Sequence, residues 1–306
     1  MRHFKTPAGK VHELQFSPNG EYLYFLSVEE YKGRGYDTAE HRPSLVQRAF
    51  RADVRSGQIS GTRALDASDS AIFTSDFCAV YHSVSVVKAG GDFDLRRTDL
   101  LTGCSQAIRD FNNRGLCCQA LTSNGHILAA GGWDDPVHRL DVWHNVMLDP
   151  LPFGTNCLAY SPDDRTLATG HQSNGVCIWR GKVLEEQWSE PARELAWSRS
   201  GWLAWGITWG MKGQVTVVRP SSGRPPQTWA SAGEALTSLA LSADGTRLLT
   251  GTYCGLCAFH DTIAGQQRAA FNWDIGPIHS VAFSPDGLTC AAGGEDGRIV
   301  IWDVDI

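Results

Sequence analysis

The feature that most constrains this 306-residue chain is a strand and turn pattern that recurs along its length. The clearest copy closes the sequence. An apolar segment at 278–283 precedes a Ser-Pro-Asp-Gly turn at 284–287, and small residues then lead to a second Asp-Gly turn at 296–297 and an apolar strand that ends at Trp302-Asp303. Short strands joined by such turns predict antiparallel sheet. The recurrence of this strand and turn pattern predicts a repeat architecture, although the length of the chain alone would suggest about two domains.

Two positions of the pattern can be followed through the chain independently. The end of the third strand recurs at intervals of 36 to 46 residues, at Ala52-Asp53, Thr98-Asp99, Trp143-His144, Trp179-Arg180, Val218-Arg219, His260-Asp261 and Trp302-Asp303. The first turn recurs at 17–20, 122–125, 161–164, 198–201, 242–245 and 284–287. The second repeat is the least defined, because its best match, Thr74-Ser75-Asp76-Phe77, carries no turn glycine. These positions predict seven units.

The pattern resembles WD40 repeats over essentially the whole chain, most closely in the fourth, sixth and seventh units. The resemblance implies an all-β, seven-bladed β-propeller that occupies residues 1–306 as a single domain. Each four-stranded blade would cover the apolar face of its neighbour, so the blades are expected to be stable only together.

The last repeat supplies three strands and leaves its blade without a fourth. An unpaired strand at that edge would favour aggregation. Phe4 and Leu14 stand at the same offset as Phe271 and Val281. We therefore expect residues near 2–7 to supply the outer strand of the C-terminal blade and to close the ring.

Members of the family hydrogen-bond a His, a Ser or Thr, an Asp and a Trp within a blade, and no repeat here keeps all four. The seventh has Asp296 and Trp302 but Ala292 in the hydroxyl position. The sixth has Thr250, with Cys254 for the Asp and His260 for the Trp. Each missing hydrogen bond costs about 1 kcal/mol, so we expect apolar packing to provide most of the stability.

The motifs that carry chemistry are weak. Cys254, Cys257 and His260 are spaced like zinc ligands, but the last two fall on one predicted strand, where a spacing of three directs them to opposite faces. No second Cys pair follows at finger-like spacing, so packing is the expected role and no metal is predicted. Neither a nucleophile elbow, a His-Glu-x-x-His pair nor a phosphate-binding loop is present. This favours a non-catalytic protein without a cofactor.

The turns between the second and third strands are enlarged or aromatic, and the resemblance places them on the narrower face around the central channel. Aromatic, Met and Arg side chains dominate contact energy at interfaces, and long loops are often functional. The alternative is that Trp133 and Trp209 cover neighbouring blades, as Trp197, Trp202 and Trp205 are expected to do between sheets. The candidate binding residues are Tyr31, Arg34 and Tyr36 in an insertion at 28–43, Trp133, Asp134, Trp209, Met211, Tyr253 and Glu295.

The resemblance implies an interaction scaffold that docks protein or peptide partners on this face. One alternative is a reader of a short peptide or small polar ligand at the channel mouth. Another, from a different class, is a propeller hydrolase or lyase, which would require clustered His and carboxylate groups at the channel.

Composition limits the partners and the cellular compartment that are expected for this protein. The formal charge of −6 and pI near 5.9 argue weakly against a nucleic-acid partner. Several of the nine cysteines fall within apolar strands, as expected in a reducing compartment. The segment 1–7 lacks an apolar signal core, and no stretch reaches the roughly 18 apolar residues of a membrane span. A cytoplasmic protein that does not bind membranes is the expectation.

Overall fold

The computed structural model describes residues 1–7, 9–31, 44–65, 71–85, 93–111, 116–132, 135–209, 212–231 and 235–304. In this part of the chain every regular element is a β-strand, and the 28 strands form seven four-stranded sheets. The all-β, seven-bladed propeller predicted from the repeats is confirmed.

Each blade is a meander whose strands follow one another from the channel outward. Blade 1 contains β2 (Val11–Phe16), β3 (Tyr22–Tyr31), β4 (Ser44–Asp53) and β5 (Ile59–Leu65). Blade 2 contains β6 (Ala71–Phe73), β7 (Ala79–Ser85), β8 (Phe93–Asp99) and β9 (Ser105–Phe111). Blade 3 contains β10 (Cys118–Leu121), β11 (Ile127–Gly131), β12 (Val137–Asp141) and β13 (Val146–Leu151). Blade 4 contains β14 (Cys157–Tyr160), β15 (Leu167–Gly170), β16 (Val176–Arg180) and β17 (Val183–Trp188).

The remaining blades follow the same plan. Blade 5 contains β18 (Glu194–Trp197), β19 (Leu203–Trp209), β20 (Lys212–Val218) and β21 (Gln227–Ser231). Blade 6 contains β22 (Leu236–Leu241), β23 (Arg247–Thr252), β24 (Leu256–Asp261) and β25 (Gln266–Asn272). Blade 7 contains β26 (Ile278–Phe283), β27 (Thr289–Gly294), β28 (Arg298–Asp303) and β1 (Arg2–Lys5).

The N-terminal strand closes the ring, as predicted. β1 pairs antiparallel with β28, from Arg2 opposite Ile301 to Lys5 opposite Arg298. The next residue continues the contact, because the Thr6 N–H donates to the Gly297 carbonyl at 2.8 Å. Blade 7 thereby gains its fourth strand, and the edge of β28 is covered.

The hydrophobic core is divided among the seven interfaces between blades. Each of seven buried clusters joins side chains of two neighbouring blades, and the cluster at the closure combines Val11 and Leu14 of blade 1 with Ile299 and Ile301 of blade 7. The tryptophans of blade 5 pack as expected: Trp205 is fully buried between blades 4 and 5, and Trp197 and Trp202 are half-buried against neighbouring clusters.

The turn of blade 2 confirms the alignment of the weakest repeat. β6 and β7 lie on either side of residues 74–78, as predicted. The Thr74 hydroxyl donates to Asp76 at 2.6 Å and accepts the Ala79 N–H at 3.0 Å, and the equivalent bonds join Ser284, Asp286 and Thr289 in blade 7. Phe77 takes the left-handed backbone (φ 55°) that Asp164 takes in blade 4 and glycine takes in the remaining turns. The turn therefore forms without its glycine.

The predicted end of the third strand in blade 3 is wrong by three residues. β12 ends at Asp141, so Trp143-His144 lies in the following turn. The Asp141 carboxylate accepts the N–H groups of Trp143 at 3.1 Å and His144 at 3.0 Å, as Asp99 accepts that of Thr102 in blade 2. An aspartate that begins the turn therefore marks this position, and the Trp-His pair only resembles the Trp-Asp of other blades.

Polar networks inside the blades replace the expected four-residue set. In blade 4, Trp179 Nε1 donates to Thr169 Oγ1 at 2.9 Å, and Thr169 contacts His171 Nε2 at 2.7 Å. Because His171 Nδ1 faces the Gly154 carbonyl at 2.5 Å, Nδ1 carries the proton and Nε2 accepts from the hydroxyl. In blade 6, His260 stands in the Trp position.

His260 is held from two blades. Its Nε2 lies 3.0 Å from Thr250 Oγ1, and its Nδ1 accepts from Trp229 Nε1 of blade 5 at 3.0 Å. In blade 7, the Trp302 indole N–H has no partner among the described residues, as expected from Ala292 in the hydroxyl position.

Candidate docking face around the channel

The two faces of the ring differ in what they carry. The upper face is the end of the ring that carries the turns between the second and third strands and the connections between blades. The lower face is the opposite end. The upper face corresponds to the narrower face that the resemblance assigns to binding. The innermost strands, β2, β6, β10, β14, β18, β22 and β26, surround the channel between the two faces.

The structure describes only some of the predicted binding residues. Tyr31 and Trp209 end β3 and β19 at the upper face, but their side chains lie outside the described part. Tyr253 and Glu295 are described in full. The predicted residues that lie outside the described ranges are Arg34, Tyr36, Trp133, Asp134 and Met211.

Tyr253 presents an aromatic ring at the upper face. It lies in the turn between β23 and β24, and 64% of the residue is exposed. Its backbone is anchored, because the Tyr253 N–H donates to the Ala235 carbonyl at 2.9 Å. A fixed backbone under an exposed aromatic side chain lowers the entropic cost of forming a contact.

Glu295 belongs to a cluster of ionisable side chains where blades 7 and 1 meet. Its carboxylate hydrogen-bonds His279 Nε2 and lies 3.9 Å from Lys10 Nζ. The rings of His279 and His12 are 5.1 Å apart between centroids. Burial, Lys10 and His279 lower the pKa of His12 to about 3, and burial and Lys10 lower the pKa of His279. Both imidazoles are therefore neutral at pH 7.

Two glutamates of opposite blades share the channel. Glu13 lies on β2 of blade 1 and Glu194 on β18 of blade 5, and in a ring of seven these blades stand on opposite sides of the lumen. Burial raises the pKa of Glu13 to about 7. Burial and then the charge of Glu13 raise the pKa of Glu194 to about 8, against the opposing effect of Arg193. Glu13 keeps accessible surface because it borders the channel.

These glutamates have no hydrogen-bond partner in the described part of the chain, and sequence reasoning missed them. Each is an isolated glutamate in a short strand, and its own repeat contains no signal for it. Only the closure of the ring brings Glu13 and Glu194 to one lumen. The channel mouth therefore holds the carboxyl groups of Glu13, Glu194 and Glu295 beside Lys10 and Arg193, and the raised pKa values leave Glu13 and Glu194 partly protonated near pH 7.

The zinc-like spacing does not form a metal site in the structure. Cys257 and His260 both lie on β24, and they face different neighbours, since Cys257 packs toward blade 7 and His260 bonds Trp229 of blade 5. Among the described residues, no group of three or more His, Cys, Asp or Glu side chains could hold a metal ion.

The lower face carries most of the exposed apolar surface. Eight of the ten large exposed hydrophobic residues in the described ranges lie in or beside lower-face turns: Met1, Leu101, Trp143, Val146, Val183, Leu184, Ile263 and Leu288. Trp143 is 69% exposed and stacks on His126 with 4.2 Å between ring centroids. This distribution was not expected from the sequence, because the misplaced strand end assigned Trp143 to β12.

The fold and the channel mouth define a seven-bladed propeller with a polar opening, and comparison with known proteins agrees. The family model "WD domain, G-beta repeat" matches residues 153–180 and 270–303. WD repeat-containing protein SL1-17 of Schistosoma mansoni is 25% identical over 195 residues, which cover 64% of this chain and 49% of that protein. Two of this chain's repeats match the WD40 model, and the resemblance to WD40-repeat propellers is confirmed.

Other relatives share shorter or more distant similarity. Mitotic checkpoint protein bub-3 of Caenorhabditis elegans is 20% identical over 220 residues, which cover 71% of this chain and 57% of that protein. The matches therefore span about half the length of these first two relatives. Small ribosomal subunit protein RACK1 of Medicago sativa is 42% identical over 48 residues, 16% of this chain and 12% of that protein.

A solved structure shares the whole architecture. Kuenenia stuttgartiensis hydrazine synthase aligns with a TM-score of 0.74 and 14% identity over 100% of this chain and 98% of that chain. At this identity the likeness concerns the fold alone. In the described part of the protein, none of the elements is a helix long and apolar enough to cross a membrane.

Proposed function

We propose that this protein is a non-catalytic scaffold that docks protein or peptide partners on its upper face, and that the favoured partner segment is basic. The observation that carries the proposal is the channel mouth, where Glu13 and Glu194 lack a hydrogen-bond partner among the described residues. Glu13 is exposed to the channel and Glu194 is partly exposed, and both have a raised pKa, so each carries its negative charge at a cost unless a partner compensates it. A lysine or arginine side chain entering the mouth would supply that compensation and favour the ionised carboxylates.

The surrounding surface supports the same proposal. Tyr253 offers an exposed ring, and Glu295 adds an acceptor at the rim. Aromatic anchors next to charged acceptors favour side chains that combine an apolar stem with a cationic end. Tyr31, Arg34, Tyr36, Trp133, Asp134, Trp209 and Met211 remain predicted contributors to this rim.

The relatives support a scaffold in a general way. One matching protein of Gallus gallus is named a serine-threonine kinase receptor-associated protein, and its match covers 15% of this chain. We extend from such names only the kind of role, and the partner of this chain is defined by its chemistry. We also propose that residues 1–306 form one domain that works in the cytoplasm, without nucleic acid, membrane or cofactor.

The proposal is tested by binding of short peptides to the folded protein. A nonapeptide with a central arginine between glycines and serines should bind the wild type, and its counterpart with a central glutamate should not, by isothermal titration calorimetry at pH 7.5. The double variant Glu13→Gln, Glu194→Gln should weaken binding at least tenfold, and Tyr253→Ala should weaken it severalfold.

The matched control uses the other face. Trp143→Ala removes an exposed aromatic residue of the lower face and should leave peptide affinity unchanged. A loss of binding in Trp143→Ala with no loss in the glutamate variant would instead place docking on the lower face. Equal binding of the basic and acidic peptides would rule out the proposed charge preference.

Two alternatives predict different outcomes. A reader of a small polar ligand would bind free arginine or lysine as tightly as the peptide, because flanking residues would add no contacts. The cluster of His and carboxylate groups that a hydrolase or lyase requires is present at the mouth as His12, His279 and Glu295. Such an enzyme would lose turnover, and not affinity alone, when His12 or His279 is replaced. The scaffold proposal predicts neither result.

A further inference from the structure

The contact between blades 7 and 1 is the place where the ring is closed by a strand from the other end of the chain. We call it the seam. Its core holds Val11 and Leu14 against Ala282 and Ile299, and the Leu14 N–H donates to Ser280 Oγ at 2.9 Å. The packing is close, because a Cβ on Gly293 of β27 would meet Val11 Cγ1 at 2.5 Å. The closed seam therefore has no space for the water that a charged side chain would need.

A pair of histidines crosses the seam at its upper end. His12 of β2 and His279 of β26 face each other with 5.1 Å between ring centroids. The charged groups that face them are Lys10, on the connection from β1, and Glu295, on the turn between β27 and β28. Across the sheet, β3 places the apolar Leu26 opposite His12, and Glu13 on β2 borders the channel.

Protonation of this pair would bring positive charges together. A charged His12 would lie beside Lys10 and against His279, and Glu295 is already bonded to His279 and close to Lys10. One carboxylate cannot compensate three cations at this spacing in a partly dry interface. Separation of the two blades would relieve the repulsion and return the imidazoles to water.

We propose that the His12–His279 pair is an acid-sensitive latch, which loosens the seam in mildly acidic solution while the other six interfaces stay closed. This device is independent of the docking proposed above. In a repeat ring each blade contacts its neighbours only, so one interface can open locally before the rest.

The direction and size of the effect follow from proton linkage. The pKa of His12 is about 3 when the seam is closed and about 6.5 when the imidazole is in water. A lowered pKa means that opening takes up a proton, so opening becomes more favourable as the pH falls below about 6.5. Between pH 7.5 and 5.0 the opening equilibrium constant should rise about 30-fold from His12 alone.

Hydrogen exchange with mass spectrometry tests the latch. After correction for intrinsic exchange, the ratio of the exchange rates at pH 5.0 and pH 7.5 is compared between proteins for peptides covering 1–16 and 278–303. This ratio should be about 30-fold larger in the wild type than in His12→Gln, which cannot be protonated, and peptides covering 203–218 should show no such difference between the two proteins. His144→Gln, which removes an exposed lower-face histidine, should have the wild-type ratio. Glu13 and His279 titrate in all three proteins, so their own contributions cancel in this comparison.

Several results would overturn the latch. They are the same ratio of exchange rates in the wild type and His12→Gln, or a difference between these two proteins that is equal in the peptides of every blade. If His12→Gln does not fold, a carbon-resolved NMR titration of the wild-type imidazoles decides the matter. Titration of His12 near its ordinary value with the seam intact would refute the proposal, and titration only together with exchange broadening of seam resonances would support it.

Discussion

At the level of single side chains, burial decides how this protein responds to pH. The carboxyls of Glu13 and Glu194 have raised pKa values, because the surrounding protein displaces part of their hydration although both keep accessible surface in the channel, and His12 and His260 have lowered pKa values because of burial. Burial favours the neutral form of either kind of group. The two kinds therefore oppose each other, since acid favours the folded state through the glutamates and disfavours it through the histidines.

Replacement of Glu194 by glutamine should stabilise the protein in alkaline solution. Its folded pKa of about 8 lies above the ordinary 4.5, so the folded state binds a proton that the unfolded state releases, and stability falls as the pH rises from about 4.5 through 8. Glu194→Gln should gain roughly 2 kcal/mol at pH 8 and little at pH 4.5, given screening by channel water. Urea unfolding at both pH values measures the gain.

The exposed Glu190→Gln is the matched control for that experiment. It should leave the free energy of unfolding unchanged at either pH, because Glu190 lies on the surface. Equal stability of Glu194→Gln and wild type at pH 8 would contradict the assignment of Glu194 to a dehydrated channel position.

Two turn glycines should differ in the cost of an added methyl group. Both Gly175 and Gly181 have positive φ, at 71° and 59°. A Cβ on Gly175 would lie 1.8 Å from the Trp188 carbonyl oxygen, whereas nothing lies within 4 Å of a Cβ on Gly181. Gly181→Ala should cost about 1 kcal/mol of backbone strain, and Gly175→Ala more than about 3 kcal/mol. Thermal and urea unfolding compare the variants, and similar costs would contradict this view of the turn.

At the level of strands and blades, different polar groups form the hydrogen bonds inside each blade. Blade 4 uses the Trp179, Thr169 and His171 network, and blade 6 substitutes His260 for the Trp and recruits Trp229 from blade 5. Blade 7 leaves the Trp302 indole unbonded among the described residues. Packing between blades therefore sustains the fold where the networks are incomplete.

Blade 7 offers a direct test, because a hydroxyl can be restored there. Ala292 stands two residues beyond the partner of Trp302 on β27, as Thr169 stands two residues beyond the partner of Trp179 on β15. Ala292→Thr should place a hydroxyl near the indole N–H. Compared with Ala292→Val, which has the same shape, the threonine variant should be more stable by about 1 kcal/mol.

Urea unfolding measures the free energies of unfolding of Ala292→Thr and Ala292→Val. The valine variant absorbs the steric cost of a larger side chain, so the difference between the two variants isolates the hydroxyl. Identical stabilities would mean that the Trp302 indole N–H does not reach position 292.

At the level of the ring, closure joins two ends of the chain that are far apart in sequence. β1 pairs with β28 along its whole length, Arg2 Nη1 donates to the Val54 carbonyl of blade 1 at 2.6 Å, and Phe4 packs against the cluster at the seam. Without this strand, β28 would become an exposed edge, which promotes association with other chains.

Deletion of residues 1–8 should therefore lower the melting temperature by several degrees or cause aggregation. Differential scanning calorimetry combined with light scattering measures both effects. The matched control is Arg55→Ala in an exposed lower-face turn, which should melt with the wild type. A deletion variant that melts and remains monomeric like the wild type would contradict the role of β1.

The repeat pattern consists of local signals, so the sequence was sufficient to predict those turns and strand ends that depend on neighbouring residues. The turn of blade 2 was found without its glycine because Thr74 and Asp76 form the side-chain bonds of the turn within a few residues. The strand end of blade 3 was misplaced for the same reason, since two neighbouring aromatic residues imitated a strand end that Asp141 in fact determines.

The number of blades and their meander could be read from the sequence alone, because each depends on turn chemistry and alternation within about 40 residues. The N-terminal closure could be read because Phe4 and Leu14 stand at the same offset as Phe271 and Val281 in the repeat pattern. The meeting of Glu13 with Glu194, the contact of His12 with His279 and the exposed apolar side chains of the lower face emerged only in three dimensions. These contacts join strands from different repeats. Such pairs carry no shared local pattern, since their proximity is created by the closure of the ring.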